Sequence, residues 1–134
     1  MANFSNQNII VKIHLAISIL IVVPVSFIYG FDPSSQFEIV PKSTDEYNLL
    51  KAFMGLYLGF STLWILGIFK KEYLKVALIS NMIFMLGLGF GRVVSILLDG
   101  TPTFGYTFGT IAELFLGFYG VWILTNKNLN FAEK

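Results

Sequence analysis

Two ionisable residues stand where an apolar chain tolerates them least. Arg92 and Glu113 each lie inside a long hydrophobic run, and an ionisable group in hydrocarbon is costly unless it is paired or hydrated. Their placement is matched: Arg92 comes eight residues before Gly100, and Glu113 eight residues after Gly105. In an antiparallel helical hairpin rising 1.5 Å per residue, each would lie roughly 12 Å from the turn. Equal depth makes an arginine–carboxylate contact possible, bidentate at best, so a buried ion pair between Arg92 and Glu113 is expected. Other polar groups fall in line with it. Asp99 is two helical turns beyond Arg92 on the same face, with Ser95 between them and Asn81 eleven residues earlier. Tyr106 and Thr110 precede Glu113 on its own face. Lys51, near the start of another apolar run, is placed to reach Asp99 or to snorkel to the interface.

Two kinds of chemistry are open to the cluster of Lys51, Arg92, Ser95, Asp99 and Glu113. As a structural clasp, Arg92 and Glu113 would lock two helices in register, which a buried polar pair can do without adding net stability. As a pocket, Arg92 would bind an anionic headgroup or carboxylate while Glu113 relays protons or balances charge. Most other chemistry is excluded. There is no Cys and a single His, so disulfides, thiol nucleophiles and the common zinc arrangements fail, and no metal site is expected. His14 and Ser18 share a face and read as hydrogen-bonded packing residues, and Asn81 as a helix–helix hydrogen bond. Met82 and Met85 have no soft-metal company. The glycines from Gly87 to Gly91 lead into no solvent-facing helix start that would hold a phosphate. No nucleophile–base constellation is visible, so no catalytic residue is expected, and the residues leave the cofactor open.

These residues need a scaffold, and the composition says which. The chain has 134 residues, 55% apolar, 16% aromatic and only 13% charged, with a mean hydropathy of +0.72. Soluble domains carry roughly 25% charge, so this is an integral membrane protein. A net charge of +1 gives nucleic acid no reason to bind. A bilayer-spanning helix needs about 20 apolar residues, and four such spans fit: about 9–29, 49–69, 76–98 and 104–124. They predict an all-α, four-transmembrane-helix bundle of antiparallel up-down topology, one domain over 1–134. Pro24 falls within the first span, where it is tolerated. No charged region precedes Lys12 and no small-residue cleavage pattern stands near Gly30, so the first span is expected to be retained.

Lys and Arg near span ends favour the cytoplasm. With four spans, Lys12, Lys70, Lys71, Lys75, Lys127 and Lys134 share one side, against Lys42 and Lys51 with Asp32, Glu38, Asp45, Glu46 and Asp99 on the other. Both termini are therefore expected in the cytoplasm. The connection 30–48, with Pro33 and Pro41, would face outward as an irregular loop and a cap over the bundle. Tyr29, Phe31, Tyr47, Phe69, Tyr73 and Phe104 fit interfacial belts. Close helix approach in lipid depends on small residues. Gly55 with Gly59, Gly87 with Gly91 and Ser95, and Gly109 with Gly117 supply rows for packing within the bundle, or for a homo-oligomer interface.

The stretches from Asn48 to Gly59 and from Gly89 to Pro102, followed by Glu113 and Gly117, resemble a family of small four-helix bacterial membrane proteins known as domain of unknown function 4345. The most specific part is Gly91-Arg92-x-x-Ser95-x-x-x-Asp99-Gly100. The resemblance implies that Arg92, Ser95, Asp99 and Glu113 belong together, and it implies a basic residue, often Arg, where this chain has Lys51. In span number and size the chain is also loosely similar to DoxX-like membrane proteins, some associated with quinone-linked oxidoreductases. The expected setting is a bacterial inner membrane. The expected function is a scaffold or accessory subunit that binds membrane lipid or a larger membrane partner. The alternatives are a small-molecule or quinone-binding carrier or redox subunit with an outward-facing pocket around Arg92 and Glu113, and, last, an enzyme acting on a membrane-embedded substrate.

Overall fold

The computed structural model describes residues 2–126, with side chains from Asn8 onward. Lys127 and Lys134, used above to orient the chain, lie outside the described residues. Four long helices make the bundle: α1 (Ala2–Phe31), α3 (Thr44–Phe69), α4 (Lys71–Asp99) and α5 (Phe104–Thr125), with a one-turn helix α2 (Ser34–Phe37) between α1 and α3. All four are long and apolar enough to cross a membrane. The all-α four-helix architecture is therefore as the hydropathy requires. The chain reads as a multi-pass membrane protein.

Helix ends differ from the apolar stretches that announce them. The second long helix starts at Thr44, not Leu49, because Ser43 caps it: the Ser43 hydroxyl accepts from the Glu46 amide at 3.2 Å and the Ser43 amide donates to the Glu46 carboxylate at 3.3 Å. This reciprocal capping box satisfies amide groups that a bare helix start leaves orphaned. α4 likewise begins at Lys71, directly after Lys70, so the charged residues Lys71, Glu72 and Lys75 are helical. Hydropathy locates the part of a helix that lipid touches, and these polar turns extend beyond it. The connection between α1 and α3 shrinks accordingly and is not wholly irregular. It contains α2, closed by Glu38 in the left-handed region at φ 54°.

Each helix buries one stripe. On α1 it runs through Val11, His14, Leu15, Ser18, Val22, Ser26 and Tyr29, the spacing of one helical face. α1 packs on α3, α3 on α4 and α4 on α5, whereas α1 and α5 touch only lightly. An aromatic knot centres on Phe84, whose ring lies 5.0 Å from Tyr57, 5.0 Å from Phe60 and 5.3 Å from Trp64. The Trp64 indole N–H donates to Ser80 Oγ at 3.1 Å. Leu20, Phe69, Leu97, Leu98 and Phe104 are each three-quarters exposed or more and form part of the apolar outer surface.

The glycine rows need correction. Gly55, Gly59, Gly87, Gly91 and Gly109 have nothing within 4 Å of where a Cβ would stand, so they do not pack the bundle. The close approach between α4 and α5 is made by Gly117, a member of the expected rows, and by Gly89, which lies outside them. A Cβ on Gly89 would fall 2.6 Å from Leu114 Cδ2, and one on Gly117 2.6 Å from Leu86 Cδ2. Each glycine thus receives a leucine from the facing helix. The rows share a spacing with true packing faces, but spacing alone does not say which face meets a neighbour.

Candidate functional site

The reciprocal leucine–glycine fit draws α4 and α5 together where Arg92 and Glu113 stand, one turn from Gly89 and Gly117 respectively. Arg92 Nε lies 2.9 Å from Glu113 Oε2, and the two side chains are 18% and 14% exposed. The N–H is not directed at that oxygen, so this is an ion contact, not an aligned hydrogen bond, and both atoms keep unmet hydrogen-bonding capacity. Arg92 Nη2 donates to Tyr29 Oη at 3.4 Å. The guanidinium carbon stands 5.0 Å from the centre of the Tyr106 ring, within cation–π range.

The surroundings of the pair are aromatic. Phe37, brought in by α2, stacks on Tyr29 at 4.6 Å and leans on Tyr106 at 4.9 Å. Tyr29 also meets the edge of Tyr57 at 5.8 Å. Helices α1, α3 and α5 and the loop therefore each contribute a ring around one guanidinium. Tyr29 is 7% exposed and Phe37 8%, so Tyr29 is not the interfacial residue that its place near a span end suggests. The loop folds over it, and the pattern of the sequence carries no signal for that fold-back. Tyr57 and Phe37 were equally invisible as site residues.

Cavities lie on both sides of the pair. One, of about 570 Å³, runs between α1 and α5 beneath α2, with Val25, Phe37, Arg92, Phe108, Gly109 and Glu113 among its walls. The other, of about 650 Å³, opens between α3 and α4 and is walled by Tyr29, Phe53, Gly87, Gly91, Arg92 and Ser95. Both fall in the size range of small-molecule sites. A third, of about 550 Å³, continues the α1–α5 seam toward the termini, walled by Ile10, His14, Ile17 and Tyr119. It shares Ile21, Ala112 and Leu116 with the first. The weak α1–α5 contact is thus one crevice, running along α5 from Phe104 to Tyr119, or about 22 Å at helical rise.

The structure does not gather all five expected residues. Ser95 Oγ donates to Asp99 Oδ2 at 2.9 Å, a local pair on the exposed end of α4, and Ser95 shares a cavity wall with Arg92. Lys51 stands apart. It is exposed, with Nζ 5.4 Å from the Tyr47 ring centre and 5.9 Å from that of Phe31, and it makes no ion pair with Asp99. Cation–π contact over nearby rings wins over the longer reach. Thr110 is buried, its hydroxyl donating to its own helix at Tyr106 O, 2.8 Å away. Among the described residues no group of three or more His, Cys, Asp or Glu side chains could hold a metal ion.

The family described as domain of unknown function (DUF4345) matches residues 10–124, a stretch that includes the pair, its aromatic surround and the whole crevice. The chain belongs to this family. No curated protein and no solved structure matches it. The match supports a small membrane protein whose function the family leaves open, and it does not extend to a DoxX-like kinship. In this DUF4345 protein the residues of the Gly91-Arg92-x-x-Ser95 motif have a visible geometry: Arg92 points to the crevice and to the Ser95 cavity alike.

Proposed function

We propose that this protein binds a neutral, membrane-soluble amphiphile, with its polar head at Arg92 and Glu113 and its apolar body in the α1–α5 crevice. The observation that carries the reading is the cavity of about 570 Å³ that ends on the ion pair. The pair's charges cancel. An anionic headgroup would have to compete with Glu113 for Arg92, whereas a carbonyl or hydroxyl head would find donors on Arg92 and an acceptor on Glu113 without displacing either. The tyrosines and Phe37 supply faces for a flat ring, which makes a quinone-like head a natural member of the class. The role is that of a carrier or accessory subunit, in a bacterial inner membrane with both termini cytoplasmic, and it needs no catalysis by the protein.

The test is photo-crosslinking in the native membrane. A benzophenone amino acid replacing Phe108, on the cavity wall, should capture one amphiphile in high yield. The same probe at Leu97, on the outer surface and 77% exposed, should capture bulk lipid in proportion to its abundance. Identical adduct profiles would refute the reading.

A scaffold or oligomer role draws on a separate observation. The open glycines Gly55, Gly59, Gly87 and Gly91 offer close approach to a further helix from another subunit. Stoichiometric co-purification of a partner that Gly87→Leu abolishes would favour it, and a lone chain after mild extraction would count against it.

A further inference from the structure

The two halves of the α1–α5 crevice meet at three residues. The cavity of about 570 Å³ that ends on Arg92 and Glu113 and the cavity of about 550 Å³ toward the termini have Ile21, Ala112 and Leu116 as common walls. Ala112 has the smallest side chain of the three, is half-buried and directly precedes Glu113. Its neighbours along the same face of α5 are large: Phe108, one turn before it, walls the first cavity, and Leu116, one turn after it, walls both. A single methyl group therefore stands where the head cavity opens into the rest of the crevice. Beyond that point the walls hold no Asp, Glu, Lys or Arg.

We infer that Ala112 admits the tail of the ligand: an amphiphile with its head at Arg92 and Glu113 carries one slender hydrocarbon tail, which passes Ala112 and lies along α5 as far as Tyr119. The inference rests on the proposed head site and deepens it by naming the tail and the residue that selects it. Ala112 and Tyr119 are seven residues apart, about 10 Å at helical rise, a length that an extended chain of about eight carbons covers. Fit must do the selecting. A tail in the bilayer already lies in hydrocarbon, so an apolar crevice offers it no hydrophobic gain. What the crevice offers is close packing against side chains, and a bulky residue at the junction would take that away by overpacking the path.

The test compares two probes with the same head. Full-length protein in nanodiscs of a saturated phosphatidylcholine is titrated calorimetrically, with the signal of empty nanodiscs subtracted. One probe is 2,3-dimethoxy-5-methyl-1,4-benzoquinone, which has no tail, and the other is its 6-decyl derivative, whose chain is long enough to reach Tyr119. Affinities are expressed as mole fractions in the bilayer, and the wild type should bind both. Ala112→Phe, at the junction, and Ile17→Trp, in the cavity beyond it, should each lower the ratio of decyl to tailless affinity by about tenfold or more, the scale of one overpacked side chain. Ala112→Gly should keep the wild-type ratio, and helical circular dichroism checks that every variant is folded. A ratio that neither bulky variant moves, or a tailless quinone weakened as much as the decyl one, would overturn the inference and leave the head site standing. Binding of neither quinone to the wild type would overturn the inference together with the reading on which it rests.

Discussion

Removing one member of the Arg92–Glu113 pair should be far worse than removing both. The two side chains are in contact at 2.9 Å and mostly buried. With charge centres about 4 Å apart and an effective dielectric of about 20, the attraction is about 4 kcal/mol, and desolvation offsets much of it. A single Arg92→Met leaves Glu113 unpaired against an apolar cavity, and Glu113→Leu leaves Arg92 among neutral partners such as Tyr29 and the Tyr106 ring. Each single variant should lose about 3–5 kcal/mol, whereas the double variant Arg92→Met with Glu113→Leu should lose about 1 kcal/mol or gain stability. The assay is reversible unfolding in bicelles, followed by steric trapping, for the four members of the cycle. Single losses under about 1 kcal/mol, or a double variant that loses the sum of the singles, would refute the reasoning. The first result would mean that the charges are already hydrated, the second that they act independently.

The α4–α5 seam offers a direct packing test. Gly117→Ala should destabilise by about 1–3 kcal/mol, because its Cβ would meet Leu86 Cγ at 2.7 Å and the Leu86 backbone N at 3.1 Å, while Gly87→Ala, with open space around it, should be near neutral in the same unfolding assay. Asn81→Leu should cost about 1–3 kcal/mol by stripping the buried His14 Nε2 of its hydrogen-bond partner, measured by thermal melting in detergent. Ser43→Ala, which removes the cap of α3, should cost about 0.5–2 kcal/mol and show as earlier hydrogen exchange in residues 44–47. Phe37→Ala should open the cavity under α2 and speed ligand release, read as a higher dissociation rate for the bound amphiphile with little change in the helical circular dichroism.

The parts of this molecule that were legible in the sequence are those governed by counting. Four apolar stretches of membrane length can only be helices in lipid, since every backbone group must be satisfied internally. Arg92 and Glu113 are equidistant from one short turn, and two helices joined there have little freedom to offset them. Glycine spacing was a poorer guide, because the same interval describes Gly87 with Gly91, which face open space, and misses the pairing of Gly89 with Leu114. Lys51 was drawn toward Asp99 by charge, but long side chains settle on what is near, here Tyr47 and Phe31. The aromatic surround depended on Phe37, whose burial arises only when a polar loop folds back onto Tyr29. Nothing in local periodicity encodes such a contact.

The most direct test of the central claim is native mass spectrometry of the protein released gently from its own membrane, beside the Arg92→Met and Glu113→Leu double variant. The account predicts one neutral amphiphile bound to the wild type and lost from a double variant that remains folded. A wild type that flies bare, or a double variant that keeps the same ligand, would contradict it and leave Arg92 and Glu113 as a clasp between α4 and α5.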